Sequence, residues 1–357
     1  MTKTRVVFVC VLLSLSTAVY AQSVTNILTF LLQNQSVQTG SPERDRAATQ
    51  ATADTISRAL LANLATLPVP TSSGAFSYRL NPELGTVERT TQNFGPFFVE
   101  RAQTAGRGQA SFGVTFEHFR FTSLDGRNLR DGTFVTTANQ FVDENSPFEV
   151  DRLTLNIDTS VATVYGNVGI TNRFEIGAAA PFVQLQLNGS RVDTYRGRDF
   201  TQASASARAV GLADIVVRGK YTLYSSDGDG AAAAVDVRLP TGHEEDLLGA
   251  GTSSVKFSGI GSIDRGPVAA HLNAGFALGG LAREVSYSAA IEVAATPRAT
   301  VVGEVLGRTI DSPGHIVQVS AINPSIAGVQ TIRLAPDTSM LNIVTLVPGF
   351  KWNLSAT

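Results

Sequence analysis

The sequence has one cysteine, little charge and no long apolar run beyond its first residues. Cys10 lies within the first 21 residues, so the rest of the chain has no thiol for a disulfide or a thiolate metal site. Charged residues make up 16 % of the chain, where about 25 % is usual for a soluble protein. No later apolar run approaches the roughly 20 residues of a membrane-spanning helix. Low charge without such a helix favours closed antiparallel strands.

The first 21 residues have the pattern of a secretory signal peptide. Lys3 and Arg5 precede an apolar run, and a small-residue cleavage site ends at Ala21. The run is about ten residues long, which is too short for a retained membrane anchor. We therefore expect residues 1–21 to be removed during export. The formal net charge of −2 for the full chain argues against a nucleic-acid partner, which would need a basic surface.

Residues 22–75 have a helical pattern that differs from everything after them. Ser41 and Pro42 supply an N-cap and a first-turn proline, and we predict a helix over about 43–66. Such a helix can pack on the rest of the protein, form a plug inside or below a barrel, or bind a partner. Its single apolar stripe consists of Ala53, Ile56, Leu60, Leu64 and Leu67.

From about residue 109 the spacing of apolar residues changes from the 3.6-residue period of a helix to the 2-residue period of a strand. Alternation gives each segment one apolar and one polar face, which fits a soluble β-sandwich as well as a membrane barrel. Many segments run 10 to 15 residues, closer to a tilted spanning strand of about 9 to 11 than to an ordinary strand of about 5 or 6. The clearest examples are residues 153–161, 214–223, 235–239, 268–276 and 285–293.

The connections between these segments favour the membrane barrel. Short turns are predicted near 171–173, 227–230, 264–266 and 296–299, and they alternate with longer polar joins. Short turns at one end and long loops at the other are typical of outer-membrane barrels. The longer joins are expected at 188–210, 241–254 and 312–340, with Gly279–Arg283 as one short exception.

The polar faces of the segments carry the candidate site residues. An Arg or Lys facing lipid near the bilayer midplane would cost roughly 2–4 kcal/mol, so we expect these charges to point inward. There Arg218 and Lys220, with the neighbouring Asp236 and Arg238, would form either a salt-bridged lumen that plugs the barrel or a charged constriction that selects solutes. The lumen-facing selectivity candidates are Asp214, Arg218, Lys220, Asp236, Arg238, His271 and Glu292, and Asp158 is expected on the same face.

Three stretches in order resemble a known family. They are a strand, tight turn and strand over 164–181, a Gly-x-Ala-Asp strand over 211–221, and a loop over 239–251. Together they resemble the phenol-degradation meta-pathway outer-membrane family, whose members are described as transporters. Ala213 stands where that family usually has a second glycine, and His243 where it has an acidic residue. The resemblance covers about half of the chain after the leader.

The resemblance implies a barrel of about 12 strands, within a range of about 10 to 14, that moves small hydrophobic or aromatic compounds. Outer-membrane barrels commonly end on a strand that closes with Phe or Trp. This chain ends with residues 352–357, whose pattern is that of a strand interior. We expect either further strands beyond residue 357 or a different mode of closure.

The sequence offers little for catalysis or metal binding. The four histidines at 118, 243, 271 and 315 lack metal-ligand spacing. Asp227–Gly230 has too few carboxylates for a calcium loop, and His243–Asp246 is adequately explained as a solvated loop. No Gly-x-Ser-x-Gly nucleophile motif is present. We therefore expect no catalytic residue, no cofactor and no metal, and do not expect an enzyme.

The sequence thus predicts an all-β, antiparallel transmembrane barrel preceded by a short helical segment. Its parts are a signal peptide (1–21), an N-terminal helical segment that is periplasmic or plug-like (22–75) and the barrel (76–357). We expect it in the outer membrane of a Gram-negative bacterium, with the bilayer, the barrel-assembly machinery and a small solute as partners. Its expected function is passive passage of small molecules. The alternatives are a closed structural or adhesion barrel that presents its outer loops, and a barrel enzyme.

Overall fold

The chain folds into two helices and a large antiparallel sheet. The structure, a computed structural model, describes residues 22–33, 37, 40–64, 70–71, 78–81, 86–89, 95–226, 228–296, 298–311, 315–337 and 339–352. The predicted signal peptide and the last five residues lie outside these ranges. Helix α1 spans Val24–Leu32 and α2 spans Pro42–Leu64, which agrees with the predicted helix to within two residues. In the described part of the chain, no helix combines the length and apolar character that crossing a membrane requires.

Fourteen strands form one antiparallel sheet, which confirms the predicted all-β class. Two small hairpins, β1–β2 and β4–β5, form separate two-stranded sheets. A short 3-10 helix, η1, spans Glu244–Asp246. The strands are β1 Tyr78–Asn81, β2 Thr86–Arg89, β3 Ala110–Phe121, β4 Ser123–Leu124, β5 Arg127–Asn128, β6 Phe134–Phe141, β7 Glu149–Gly169, β8 Phe174–Tyr195, β9 Arg198–Leu212, β10 Ile215–Ser226, β11 Asp229–Leu239, β12 Ser254–Arg265, β13 Val268–Gly279, β14 Arg283–Thr296, β15 Ala299–Asp311, β16 His315–Ile322, β17 Val329–Asp337 and β18 Leu341–Trp352.

The sheet forms a nearly closed barrel along a path of twelve strands, in the order β16-β17-β6-β7-β8-β10-β11-β12-β13-β14-β15-β18. The two ends of this path, β16 and β18, belong to one long hairpin. β15 and β16 follow each other along one arm of the hairpin, and β17 and β18 follow each other along the other arm. Closure comes from β17, which pairs with β6. The twelve strands therefore occupy ten positions around the barrel.

Two strands off this path complete the wall. β9 runs in line with β10 along β8, and β3 runs in line with β6 along β7. Because β17 pairs with β6, the strands β18 and β3 are neighbours in the circuit. No backbone pairing joins these two strands within the described ranges. We call this boundary the seam.

The barrel has a turn end and a loop end. Short connections near 171–173, 264–266 and 296–299 lie at the turn end, as predicted. The polar join predicted at 188–210 is wrong. β8 continues to Tyr195, turns at Arg196 and Gly197, which have φ angles of +47° and +77°, and returns as β9. The reason is that polar residues on the outward face of these strands resemble a loop in sequence.

The join predicted at 312–340 is also more ordered than a loop. Its described residues include β16 and β17, which pair with each other and extend the β15–β18 hairpin at the loop end, where β17 pairs with β6. The join predicted at 241–254 does contain a connection without strands, in which η1 is the regular element.

The two faces of the wall exchange polarity along β8. Towards the turn end, the apolar Ile176 and Phe182 point outward and Glu175 is buried inside. Beyond Phe182, polar residues point outward, and Leu185 and Leu187 are fully buried inside. Period-2 alternation continues through this point, so only the chemistry of the two faces changes.

The outward apolar residues at the turn end form a continuous belt around the barrel. Phe116, Ala162 and Phe182, side by side on β3, β7 and β8, mark its upper edge. The apolar belt includes Phe112, Val114, Phe116, Ile176, Phe182, Val217, Tyr221, Leu223, Val235, Phe257, Ile263, Leu272, Phe276, Val285, Tyr287, Ile291, Val301, Val305, Val344, Leu346, Phe350 and Trp352, all of them exposed.

Asp158 was predicted to face the lumen, and this prediction is wrong. Its neighbours Ile157 and Thr159 are fully buried on the inner face of β7, so Asp158 points outward. There it accepts a hydrogen bond from Arg120 Nε at 3.1 Å and lies 3.6 Å from Arg130. The physical reason is its position on the loop-end side of the apolar belt, where the outward face is polar.

The two helices lie inside the barrel at the loop end. Leu28 and Leu31 of α1 are fully buried and share one hydrophobic core with Leu155 and Leu187 of the wall. α2 packs on α1 and on β16 and β17. The helices therefore cover the inward apolar residues near the loop end.

A buried arginine fastens α1 to the wall. Arg191 of β8 donates a hydrogen bond to the carbonyl of Leu31 at 3.0 Å and another to the carbonyl of Gln33. Its guanidinium also pairs with Asp193 at 2.8 Å. A cation at the C-terminus of a helix satisfies free carbonyls and complements the helix dipole. The Asp193 carboxylate balances the charge that this contact buries.

We expect Leu28→Ala to lower the free energy of unfolding by about 2–5 kcal/mol, because it removes a fully buried side chain between helix and wall. Phe30→Ala is the matched control, since Phe30 lies on the same helix and is 48 % exposed. The measurement is urea-induced loss of the folded species. Equal destabilisation by both substitutions would contradict the placement of α1 in the core.

Candidate functional site

An extended segment, residues 95–105, runs through the interior at the turn end. We call it the strap. It contacts inward side chains from β8, β10, β12, β14 and β15. The strap has no regular secondary structure, so its backbone groups need partners elsewhere. Inward polar side chains of the wall provide them.

Glu304 of β15 holds the first part of the strap. Its carboxylate accepts hydrogen bonds from the amides of Phe98 at 2.9 Å and Val99 at 3.0 Å, and from the amide of Phe97. Glu304 itself is buried. Hydrogen bonds to a buried carboxylate are stronger than those between neutral groups, so this residue is a principal anchor of the strap.

Glu292 of β14 holds the middle of the strap as part of a chain of contacts. Its carboxylate pairs with Arg101 of the strap at 2.9 Å and lies 2.8 Å from His271 Nε2. The other ring nitrogen of His271 lies 2.8 Å from the Ser262 hydroxyl, which accepts a hydrogen bond from the Ala102 amide at 2.8 Å. Two predicted site residues, His271 and Glu292, thus bind the strap together.

Glu100 of the strap lies between two further predicted site residues. It pairs with Arg218 of β10 and, at 3.3 Å, with Lys220. Asp236 of β11 completes the group, because it accepts two hydrogen bonds from Arg218 at 2.6 and 2.7 Å. Lys220 is fully buried and also pairs with Glu175 at 2.8 Å. The charges of the strap and wall therefore neutralise one another.

The two remaining predicted residues lie away from the strap. Asp214 is buried and accepts hydrogen bonds from the amides of Gly242 at 3.1 Å and Ala250 at 2.8 Å. It therefore fixes the loop that carries η1 to the start of β10. Arg238 lines the interior cavity from β11. All seven candidates lie on the inner side of the wall, and five of them bind the strap or its partners.

A cavity of about 700 Å³ lies between the strap and the helices. Phe98 and Glu100 of the strap border it on one side, and Ala62 and Asn63 of α2 border it on the other. We call this cavity the chamber. The seam strands β3 and β18 also line it, so the chamber reaches the stretch of wall that has no backbone pairing in the described residues.

The sequence did not predict the strap or several inward side chains that hold the strap or face the chamber. Glu175, Lys256 and Glu304 could have been found, since each occupies a polar position in a period-2 segment. The strap could not, because it has neither helical nor strand periodicity. No group of three or more His, Cys, Asp or Glu side chains within the described ranges is arranged to hold a metal ion.

No protein-family model matches the chain, and no curated protein is significantly similar to it. The resemblance to the phenol-degradation outer-membrane family therefore stays a prediction from its motifs. The architecture that the structure establishes is a β-barrel whose inner charges hold an internal segment.

We expect Glu304→Ala to speed hydrogen exchange of the strap amides at 97–99 at least about tenfold, because each lost bond to a charged acceptor is worth about 1.5–3 kcal/mol. Glu284→Ala is the matched control. Glu284 is an inward carboxylate on the adjacent strand β14 whose nearest cation is Arg308 at 4.0 Å. The measurement is exchange followed by mass spectrometry on peptides spanning the strap. Unchanged exchange in Glu304→Ala would contradict the anchor.

Proposed function

We propose that this protein is an outer-membrane barrel for the passage of small molecules, closed at rest by the strap and the helices. The observation that carries the proposal is the inversion of polarity at the turn end, where an apolar belt surrounds an interior of charged residues and a chamber. An apolar exterior of this kind matches the hydrocarbon part of a bilayer. A polar interior is suited to small solutes.

The height of the belt supports this proposal. Its position at the turn end is the basis for the orientation of the barrel in the membrane that we propose. The belt runs from Val255 to Ile263 on β12 and from Val268 to Leu278 on β13, close to the roughly 9 to 11 residues of a tilted spanning strand. Short turns face the periplasm in outer-membrane barrels, and longer loops face outward. The helices would then fill the outer half of this barrel, and the strap would lie near its periplasmic opening.

Passage through the barrel requires the strap to move. In the structure the strap fills the turn end through ion pairs and amide–carboxylate bonds, which leaves the chamber between two obstructions. We propose that displacement of the strap opens a route from the chamber to the turn end. We assign no catalytic residue to the chain.

The same contacts favour a second candidate, a permanently closed structural barrel. Buried ion pairs such as Arg218 with Glu100 hold the strap firmly, because breaking one leaves an uncompensated charge. In that case the elongated loop end, with β7, β8 and β9 projecting beyond the belt, would be the functional surface. A conductance measurement separates the two candidates.

The membrane assignment predicts that a charge in the belt is costly. Ala289→Arg places a cation on the outward face of β14 near the middle of the belt and should cost about 2–4 kcal/mol of stability in lipid. Asn188→Arg is the control, because Asn188 is exposed on the outward face of β8 beyond the belt. Folding into phospholipid vesicles is followed by the different gel mobilities of unheated and boiled samples. Equal folding yields would contradict the assignment.

We expect the double substitution Glu292→Ala with Glu304→Ala to raise single-channel conductance in planar bilayers several-fold above that of the unaltered protein. It removes the two carboxylates that hold the strap from β14 and β15. Asp229→Asn is the control, since Asp229 pairs with Arg265 at the turn end, away from the strap carboxylates, and is partly exposed. If the double variant inserts and stays non-conducting, the closed structural barrel is the better assignment.

A further inference from the structure

Two charged side chains in the chamber have no partner among the residues that the structure describes. Glu117 of β3 and Lys256 of β12 both line the cavity. Neither forms a hydrogen bond or an ion pair within 4.0 Å. Asp236 and Glu284 attract Lys256 electrostatically from a greater distance. An unpaired charge inside a protein is costly, so the two side chains are suited to groups of a ligand.

The two side chains approach the chamber from opposite walls. Among the ten positions of the circuit, β3 and β12 are five positions apart in either direction. Glu117 has the same inward orientation as Phe119, and Lys256 the same as Ser258. A ligand that contacts both must therefore span the chamber and carry charges of opposite sign at its two ends.

The chamber wall between Glu117 and Lys256 has different side chains on the seam side and on the opposite side. On the seam side, the apolar Phe119, Leu306 and Ile343 line the chamber, together with the charged Glu284 and Arg308, which lie 4.0 Å from each other. On the other side, Arg218 and Asp236 are already paired with each other. The apolar side chains of the seam side are suited to the body of a ligand, because they offer it an uncharged surface and the two charges beside them lie within ion-pair distance of each other. The cavity volume of about 700 Å³ lies in the range of ordinary small-molecule sites, about 300–1,000 Å³.

We propose that the chamber binds a small zwitterion with separated charges, whose carboxylate pairs with Lys256, whose amine pairs with Glu117, and whose apolar or aromatic body lies along the seam side. This deepens the proposed function and rests on it, since the zwitterion is then the class of solute that the barrel passes. The site supplies one partner for each end of the ligand. It therefore distinguishes a zwitterion from a simple acid or a simple amine.

Isothermal titration calorimetry on the folded, full chain in non-ionic detergent tests the proposal. The probes are 6-aminohexanoate, hexanoate, hexylamine and 1-hexanol, which share a six-carbon body and differ in charge. We expect 6-aminohexanoate to bind at least about tenfold more tightly than each of the others, because it alone makes both charge-assisted contacts. Equal or tighter binding of hexanoate or hexylamine, or no binding of any probe, would overturn the proposal.

Two substitutions assign each end of the zwitterion. Lys256→Met should weaken 6-aminohexanoate about tenfold and leave hexylamine unchanged, and Glu117→Gln should weaken 6-aminohexanoate similarly and leave hexanoate unchanged. Arg265→Gln is the control, because Arg265 is an exposed residue at the turn end. Each variant must keep the gel mobility of the folded barrel. If either substitution leaves 6-aminohexanoate binding unchanged, or weakens all probes equally, the proposal fails.

The binding experiment can overturn the zwitterion site while the proposed function holds, and the membrane and conductance tests can overturn the proposed function while the site holds. A barrel that inserts and conducts after release of the strap, and yet shows no preference for 6-aminohexanoate, keeps the proposed function and loses the zwitterion site. A folded barrel that binds 6-aminohexanoate through Lys256 and Glu117, and yet neither inserts nor conducts, keeps the site and loses the proposed function.

Discussion

The structure depends on one constraint, which is that a strand in a barrel has only an inner and an outer face. Where the outer face is apolar, as in the belt, the polar residues of the same strands must lie inside. A polar residue inside must then find a partner, because burial without one is costly. The strap satisfies this need at the turn end. At the loop end the inner face is apolar, and the helices cover it.

The strap and the helices therefore satisfy two different requirements of the same wall: the strap pairs with its charged residues, and the helices cover its apolar residues. The strap offers backbone amides and the side chains of Glu100 and Arg101 to inward carboxylates and cations. The helices offer leucine side chains to inward leucines, and Arg191 fixes the end of α1. The chamber lies where the two chemistries meet. Its lining is accordingly mixed, with phenylalanine and isoleucine beside arginine and lysine.

The sequence predicted much of the wall because alternation is a local signal. The strands that carry Arg218, Lys220, Glu292 and His271 and most short turns were found from period and turn residues alone. Asp158 was misplaced because alternation shows which residues share a face and does not show which face is inside. That assignment depends on where the apolar belt ends, which on β8 is between the outward residues Phe182 and Gln184, and this boundary becomes visible only when neighbouring strands are aligned.

The parts that the sequence did not predict depend on contacts between distant residues. Glu304 was not identified as an anchor because its partners, the amides of residues 97–99, lie on an aperiodic segment far away in the chain. The join expected at 188–210 was a pair of strands, because polar residues on an outward face have the composition of a loop. Lys256 and Glu117 become notable only when the structure shows that they share a cavity and lack partners in its described part.

The closing hairpin has a consequence for how the barrel forms. Both ends of the strand path lie between Ala299 and Trp352, and closure pairs Val329 with Phe141 of a much earlier strand. The barrel therefore cannot close until this hairpin, which comes late in the chain, has formed and has paired with β6. Until then β6 and β17 have exposed edges that can pair with other chains, and such long-range pairing is slow.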